Sequence, residues 1–255
     1  MGCATIPIPS GSLVESPIDI NHLKVKLFAD GADKQCILAR YRDPHIAGFT
    51  TNPTLMRKAG ISDYESFARD ILTHITDRPI SLEVFADDFN EMERQARIIS
   101  SWGENVYVKI PVTNTAGVSS LPVYQRLSND GIKVNVTAVF TLQQVESIAT
   151  VLARGVAAYV SIFAGRIADT GRDPLPIMAA ACELLADMKG VELIWASPRE
   201  VLNVIQADQV GCHIITATDD ILKKLGALGK DLTQFSVETV KMFYDDAQAS
   251  GFKIS

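Results

Sequence analysis

Lys109 stands in Val106-Tyr107-Val108-Lys109-Ile110-Pro111-Val112 as the one charge within a β-branched run. A lysine in such a strand either snorkels to the rim or sits desolvated in a pocket. Desolvation lowers a lysine's pKa and frees its amine, which is what a Schiff-base nucleophile requires. The bland alternative is a structural salt bridge, since buried lysines usually have partners. Other polar residues interrupt apolar runs in the same way. Asp30 ends the first run, Thr50-Thr51-Asn52 the second, Glu83 lies in the third, and Asn135 and Thr137 in the fifth. Ser161, with Phe163 and Arg166 just beyond, closes the sixth, and Ser197 with Arg199 the seventh.

Each type supplies a distinct piece of chemistry. Cleavage next to a hydroxyl needs a base within hydrogen-bond reach, and Asp30 can serve, although an Asp after a strand also commonly caps the next helix, here from Ala32. Glu83 lies between Leu82 and Val84. A carboxylate in such a strand must be paired or working, and Lys109 one strand away is a partner in either case. Arg166, Arg199 and Ser197 offer the charge-assisted grip that a phosphate monoester needs. Arg199 has a second reading as a surface residue of the following helix, with Pro198 suited to that helix's first turn.

The elements that position these groups follow from the hydrophobic pattern. Strand candidates fall at 25–29, 46–50, 80–85, 106–110, 133–137, 157–161, 191–195 and 213–216, each followed by an amphipathic stretch of helical length. Eight such units match a closed (β/α)8 TIM barrel of about 250 residues, whose site lies at the carboxyl ends of the strands. An open doubly wound sheet would want a Gly-rich phosphate turn after the first strand, and Phe28-Ala29-Asp30-Gly31-Ala32 does not supply one. Tyr64, Phe67, Ile71 and Ile75 form one apolar helix face after an N-cap in Ser62-Asp63. Thr141 and Gln144 form a capping box ahead of Val145, Ile148 and Leu152. Gly131, Gly155 and Gly190 stop helices just before strands. The α/β chain thus divides into an N-terminal arm at 1–22, a single barrel at 23–230 and a C-terminal helical extension at 231–255, with a helix at about 233–249.

Composition excludes several classes. The 255 residues are 47% hydrophobic and 21% charged, the balance of one globular domain or at most two small ones. A net charge of −6 offers no basic stripe for nucleic acid or a membrane surface. No apolar run is long enough to span a bilayer and the start lacks a signal peptide's pattern, so the expected location is cytoplasmic. Cys3, Cys36, Cys182 and Cys212 are scattered like reduced structural thiols. His22, His45, His74 and His213 have no metal-ligand spacing, and Trp102 and Trp195 read as packing residues.

Gly48-Phe49-Thr50-Thr51-Asn52-Pro53-Thr54, Val108-Lys109-Ile110-Pro111-Val112-Thr113, Val134-Asn135-Val136-Thr137 and Ser161-Ile162-Phe163-Ala164-Gly165-Arg166-Ile167 occur in order, one per strand. This set resembles the signatures of the transaldolase family, which includes short fructose-6-phosphate aldolase-like members, from about Leu27 to Asp220. The resemblance implies that Lys109, on the fourth strand, forms an imine with a ketose phosphate and that Asp30 takes the proton from the C4 hydroxyl. It implies that Glu83 and Thr137 hold a catalytic water, that Asn52, Asn135 and Ser161 bind hydroxyls with Thr50 beside them, and that Arg166, Ser197 and Arg199 clamp phosphate. It further implies no metal or organic cofactor, sugar phosphates as the small-molecule partners, and a homo-oligomer.

The chain departs from the family pattern at Gly31, where a hydroxyl residue is common, at Pro198, where an aromatic is usual, and in the arm. Glu83 and Phe163 stand where aldolase-like members carry Gln and Tyr. Phenylalanine offers no hydroxyl to help release a free fragment, so the expectation is transfer of a dihydroxyacetone unit to an aldose phosphate. An aldolase that releases the fragment and an idle sugar-phosphate-binding barrel are the alternatives.

Overall fold

The computed structural model describes residues 19–254. The arm expected at 1–22 therefore lies almost wholly outside the described residues, as does Cys3. Eight parallel strands close into a barrel in chain order: β1 (Lys26–Asp30), β2 (Ile46–Thr50), β3 (Ile80–Glu83), β4 (Val106–Pro111), β5 (Val134–Val139), β6 (Ala158–Ile162), β7 (Val191–Trp195) and β8 (Ile214–Thr218). All eight expected strands form, with ends within two residues of those read from the hydrophobic pattern. The barrel unit runs from Leu23 to Leu225.

Helix α1 (Lys34–Tyr41) follows β1, and two helices, α2 (Pro53–Lys58) and α3 (Tyr64–His74), follow β2. Then come α4 (Phe89–Ser100), α5 (Leu121–Asn129) and α6 (Leu142–Ala149), one after each strand. Two more, α7 (Ala164–Ala168) and α8 (Leu175–Leu185), follow β6; α9 (Leu202–Gln209) and α10 (Asp219–Lys224) complete the barrel. The pattern of one helix per strand is thus exceeded after β2 and β6, where short helices carry the chain away from the strand ends.

Local signals explain the helix starts and faces. Asp63 accepts a hydrogen bond from Ser66 N, and α3 buries Phe67, Ala68, Ile71 and Leu72. Burying an aromatic or branched aliphatic side chain of this kind contributes about 1.5–3 kcal/mol. The capping box of α6 has both of its bonds, Gln144 N to Thr141 Oγ1 at 3.2 Å and Thr141 N to Gln144 Oε1 at 3.1 Å. Gly131 sits at φ 78°, directly after the C-cap of α5. Gly155 and Gly190 also have positive φ, but lie in turns several residues past α6 and α8, so they aim the chain into strands rather than end helices.

Inward positions along a strand are two residues apart, and here they change character from one end of the barrel to the other. Phe28, Tyr107 and Tyr159 belong to one core cluster with Ile194, Ala196 and Ile214. Tyr107 stacks on Tyr159 at 4.0 Å between ring centroids, and Phe28 meets Tyr159 edge-on at 5.8 Å. Two residues further along the same strands come Asp30, Lys109 and Ser161. An aromatic floor therefore closes the barrel beneath a polar upper layer. Gly48 is part of that floor, because a Cβ there would stand 2.5 Å from the Phe28 ring.

The remaining described residues form a separate unit with a short helical turn, Ile20–His22, and the long α11 (Leu232–Ser250). Asp231 caps α11 by accepting from Gln234 N, and Gly251 ends it in the left-handed conformation. Helix α11 exposes Phe235, Val237, Val240, Met242 and Phe243. Among the described residues no helix is long and apolar enough to cross a membrane.

Candidate active site

A cavity of about 470 Å³ opens at the carboxyl ends of the strands, within the range of small-molecule sites. Asp30, Thr50, Asn52, Glu83, Lys109, Thr137, Ser161, Phe163, Arg166, Ser197 and Arg199 all line it. Of the candidate catalytic and binding residues read from sequence, only Asn135 is absent from the wall. It is fully buried, donating from Nδ2 to Ser81 Oγ at 2.9 Å and accepting from the Ser161 hydroxyl at 2.7 Å. These bonds fix its amide orientation and make it a support for Ser161.

Lys109 is 6% exposed. Its Nζ donates to the Thr51 carbonyl at 3.0 Å and lies 3.1 Å from Glu83 Oε2. The strand register sets this geometry, pairing Glu83 with Lys109 and Lys109 with Asn135 across β3, β4 and β5. Thr137 Oγ1 is buried without a hydrogen-bond partner, and Glu83 Oε2 is buried with the Lys109 ammonium as its neighbour. Buried oxygens of this kind are places where a water or substrate hydroxyl is worth more than it is in solvent.

Asp30 is not a helix cap: Asp33 is, accepting from Cys36 N at 2.8 Å. That leaves the Asp30 carboxylate to the cavity. Burial pushes its pKa up, while Lys109 and the Thr50 hydroxyl pull it part of the way back. Thr50 donates to Asp30 Oδ1 at 2.8 Å. Asn52 caps α2 by accepting from Leu55 N at 2.9 Å, which leaves its amide nitrogen to a ligand.

The cationic side of the mouth is built from β6 and β7. The Arg166 guanidinium packs over the Phe163 ring at 5.1 Å. Arg199 is bidentate on Asp169, through Nε at 2.9 Å and Nη2 at 2.5 Å, and its Nη1 donates to Ser197 Oγ at 3.2 Å. This bond holds the Asp169 carboxyl below the usual range. Helix α9 begins only at Leu202, so Pro198 and Arg199 precede it and are not in its first turn. Two residues of the wall adopt positive φ without being glycine, Ala138 at 59° and Ser197 at 61°. Such backbone costs on the order of 1–3 kcal/mol and clusters at functional sites. At Ala138 it coincides with a register shift between β5 and β6.

A family model described as Transaldolase/Fructose-6-phosphate aldolase matches residues 27–254. The chain belongs to this family. A "Probable transaldolase" of Thermoanaerobacter sp. (strain X514) is 36% identical over 231 residues, covering 90% of this chain and 100% of that one. A second protein of that name, from Dehalococcoides mccartyi, is 34% identical over 79% of this chain and 90% of its own. Among solved structures, 2,3-dimethylmalate lyase superposes with a TM-score of 0.50 at 11% identity, covering 91% of this chain and 86% of that one. That likeness concerns the barrel alone.

Within this family member, four residues of the site were not singled out by sequence: Ser81, Asp169, Thr216 and Lys58. Ser81 and Thr216 are hydroxyls inside strands, the signal that marked the other site residues. Asp169 acts through Arg199, a pairing 30 residues apart that spacing cannot reveal. Lys58, at the end of α2, lines the cavity as a further cation. Trp195 is fully buried and does not line it.

Gly165 makes the Ser197 geometry possible, since a Cβ there would stand 1.6 Å from the Ser197 carbonyl oxygen. Backbone must therefore move in Gly165→Ala. The expected result is a loss of about 1–3 kcal/mol of stability. KM should rise roughly tenfold or more for a phosphorylated ketose and little for the same sugar without phosphate, because misplacement by ~1 Å weakens binding steeply. Steady-state kinetics on fructose 6-phosphate and fructose check this.

Proposed function

We propose that this chain is a transaldolase that moves a dihydroxyacetone unit from a ketose phosphate to an aldose phosphate through a Schiff base on Lys109. The observation that carries the reading is Lys109 itself: buried on β4, 3.1 Å from Glu83, and sharing a cavity with Asp30. The Lys109 amine adds to the ketose carbonyl, water leaves, and the imine forms. Glu83, ion-paired with Lys109, and Thr137, whose buried hydroxyl has no hydrogen-bond partner, hold the water that carries protons in this step and in its reversal.

Asp30 then takes the proton of the C4 hydroxyl, the C3–C4 bond breaks, and its electron pair passes into the imine, giving an enamine and a free aldose phosphate. An incoming aldose phosphate repeats the steps in reverse. Asn52 and Ser161 bind hydroxyls, with Asn135 orienting Ser161 and Thr50 orienting Asp30. Arg166, Ser197 and Arg199 grip the phosphate. The imine is the electron sink, so the reaction needs no metal or organic cofactor.

Transfer rather than release is supported by Phe163, whose ring lies beneath Arg166 and brings no hydroxyl to order a proton shuttle at the enamine. The test is fructose 6-phosphate alone: the enzyme should release dihydroxyacetone slowly, and an added aldose phosphate should restore turnover. Rapid release without acceptor overturns the transfer reading in favour of an aldolase. We further place the protein in the cytoplasm, in keeping with the family to which it belongs, and as a homo-oligomer, a reading supported by the apolar residues that α11 exposes.

A further inference from the structure

The Thr50 hydroxyl makes two short contacts, to Asp30 Oδ1 at 2.8 Å and to Thr216 Oγ1 at 2.6 Å. A threonine hydroxyl has one proton to give. When Asp30 is a carboxylate it can only accept, so that proton is spent on Asp30. The Thr216 hydroxyl must then donate to Thr50. The direction of the chain is thereby fixed: Thr216 to Thr50 to Asp30, from β8 to β2 to β1.

Thr50 and Thr216 are 3% and 6% exposed, so solvent scarcely competes for these bonds. Thr216 also lines the cavity wall. In the strand register Thr50 is level with Asp30, whereas Thr216 is level with Phe28, one inward layer below. The chain therefore rises from the aromatic floor to the reacting layer and ties the carboxylate to the floor's rigidity. One carboxylate oxygen, Oδ1, is occupied by Thr50, which leaves Oδ2 to face a substrate hydroxyl.

We infer that Thr216 is a positioning residue for the cleavage step, holding the Thr50 proton on Asp30 Oδ1 so that Oδ2 is presented to the hydroxyl it deprotonates. This rests on the proposed role of Asp30 as base. Without the Thr216 donor the Thr50 hydroxyl is free to rotate, and the ionised carboxylate loses the support of a polarised bond. The charged groups facing Asp30 are Lys109 from β4, which favours ionisation, and Glu83 from β3, which opposes it. Neither changes when Thr216 is replaced, so a change in the pH profile reports on the hydroxyl chain.

The experiment uses the full chain with Thr216→Val, which removes the hydroxyl and keeps the shape, and Thr216→Ser, which keeps the hydroxyl. Wild type is first shown to trap an imine on Lys109 with fructose 6-phosphate and borohydride. Thr216→Val should still trap that imine, while kcat for carbon–carbon cleavage falls about tenfold, a modest share of the 10²–10⁴ of general-base catalysis. The acidic limb of its rate profile should move to higher pH, and Thr216→Ser should restore both. An unchanged limb and rate in Thr216→Val, or equal loss in Thr216→Ser, overturns the inference. If Thr216→Val does not fold, Thr216→Ala carries the same test. A wild-type protein that traps no imine removes the Asp30 reading and this inference with it, and does so at the control.

Discussion

Lys109→Arg should lower turnover by something on the order of 10⁶-fold, the scale of losing a covalent nucleophile, while leaving the barrel folded. Arginine keeps the positive charge beside Glu83, so the buried carboxylate is not left unpaired, and its guanidinium cannot serve as an amine. The added bulk at a 6% exposed position costs about 1–3 kcal/mol. Lys109→Met is the harsher control, because it strands Glu83 without a counter-charge. Turnover of ketose phosphate and the thermal unfolding midpoint separate the chemistry from the fold. Residual activity within tenfold of wild type would place the nucleophile elsewhere.

Asp30→Asn should cut cleavage by about 10²–10⁴-fold, the usual share of a general base, and still permit imine formation. It should also stabilise the protein, and the sign follows from linkage. Burial raises the Asp30 pKa above its ordinary 3.8, so the folded protein holds this proton more tightly than the unfolded chain does. The contribution of Asp30 to stability is therefore greatest in acid and is lost as pH rises from that ordinary value through the raised one. At neutral pH the wild type carries the full penalty and Asp30→Asn does not. The variant should melt higher at pH 7, by roughly 2–4 °C for each ~1 kcal/mol, with the gap closing in acid. By the same reasoning the wild-type cleavage rate should fall with acid at a pH above the ordinary carboxylate range. A variant that melts lower at every pH would show that the Thr50 and Lys109 contacts outweigh desolvation.

The barrel was legible because each strand is a short apolar run, β-branched in most cases, and the longer helices carry an apolar face or a cap, as at Asp63 and Thr141. The layer of polar residues at the strand ends was legible for a related reason. Packing alone would leave those positions apolar, so Lys109, Glu83 and Asp30 stand out singly. What the hydrophobic pattern does not encode is depth. Asn135 and Ser161 look alike on the page, yet one is fully buried as a support and the other lines the cavity. Pairings across the barrel are also hidden, because the register that brings Thr216 to Thr50 or Asp169 to Arg199 depends on closure and not on local sequence. The added helices after β2 and β6 are too short to declare a period: α2 and α7 have six and five residues.

Positive φ at Ala138 and Ser197 belongs to the same hidden class. Neither residue type announces a left-handed backbone. Gly165 is the readable half of the Ser197 feature, since only a residue without Cβ admits the Ser197 carbonyl so close. The acidic chain and its cationic mouth are compatible for the same geometric reason. A net charge of −6 is spread over the surface, whereas Arg166, Arg199 and Lys58 converge on one cavity.

Borohydride reduction in the presence of fructose 6-phosphate, followed by mass spectrometry of the Lys109 peptide, tests the Schiff-base mechanism most directly. The expected product is a reduced three-carbon adduct on Lys109, formed without any acceptor and absent from Lys109→Arg. An unmodified Lys109 in folded protein that binds the sugar phosphate, or an adduct on another lysine, would contradict it.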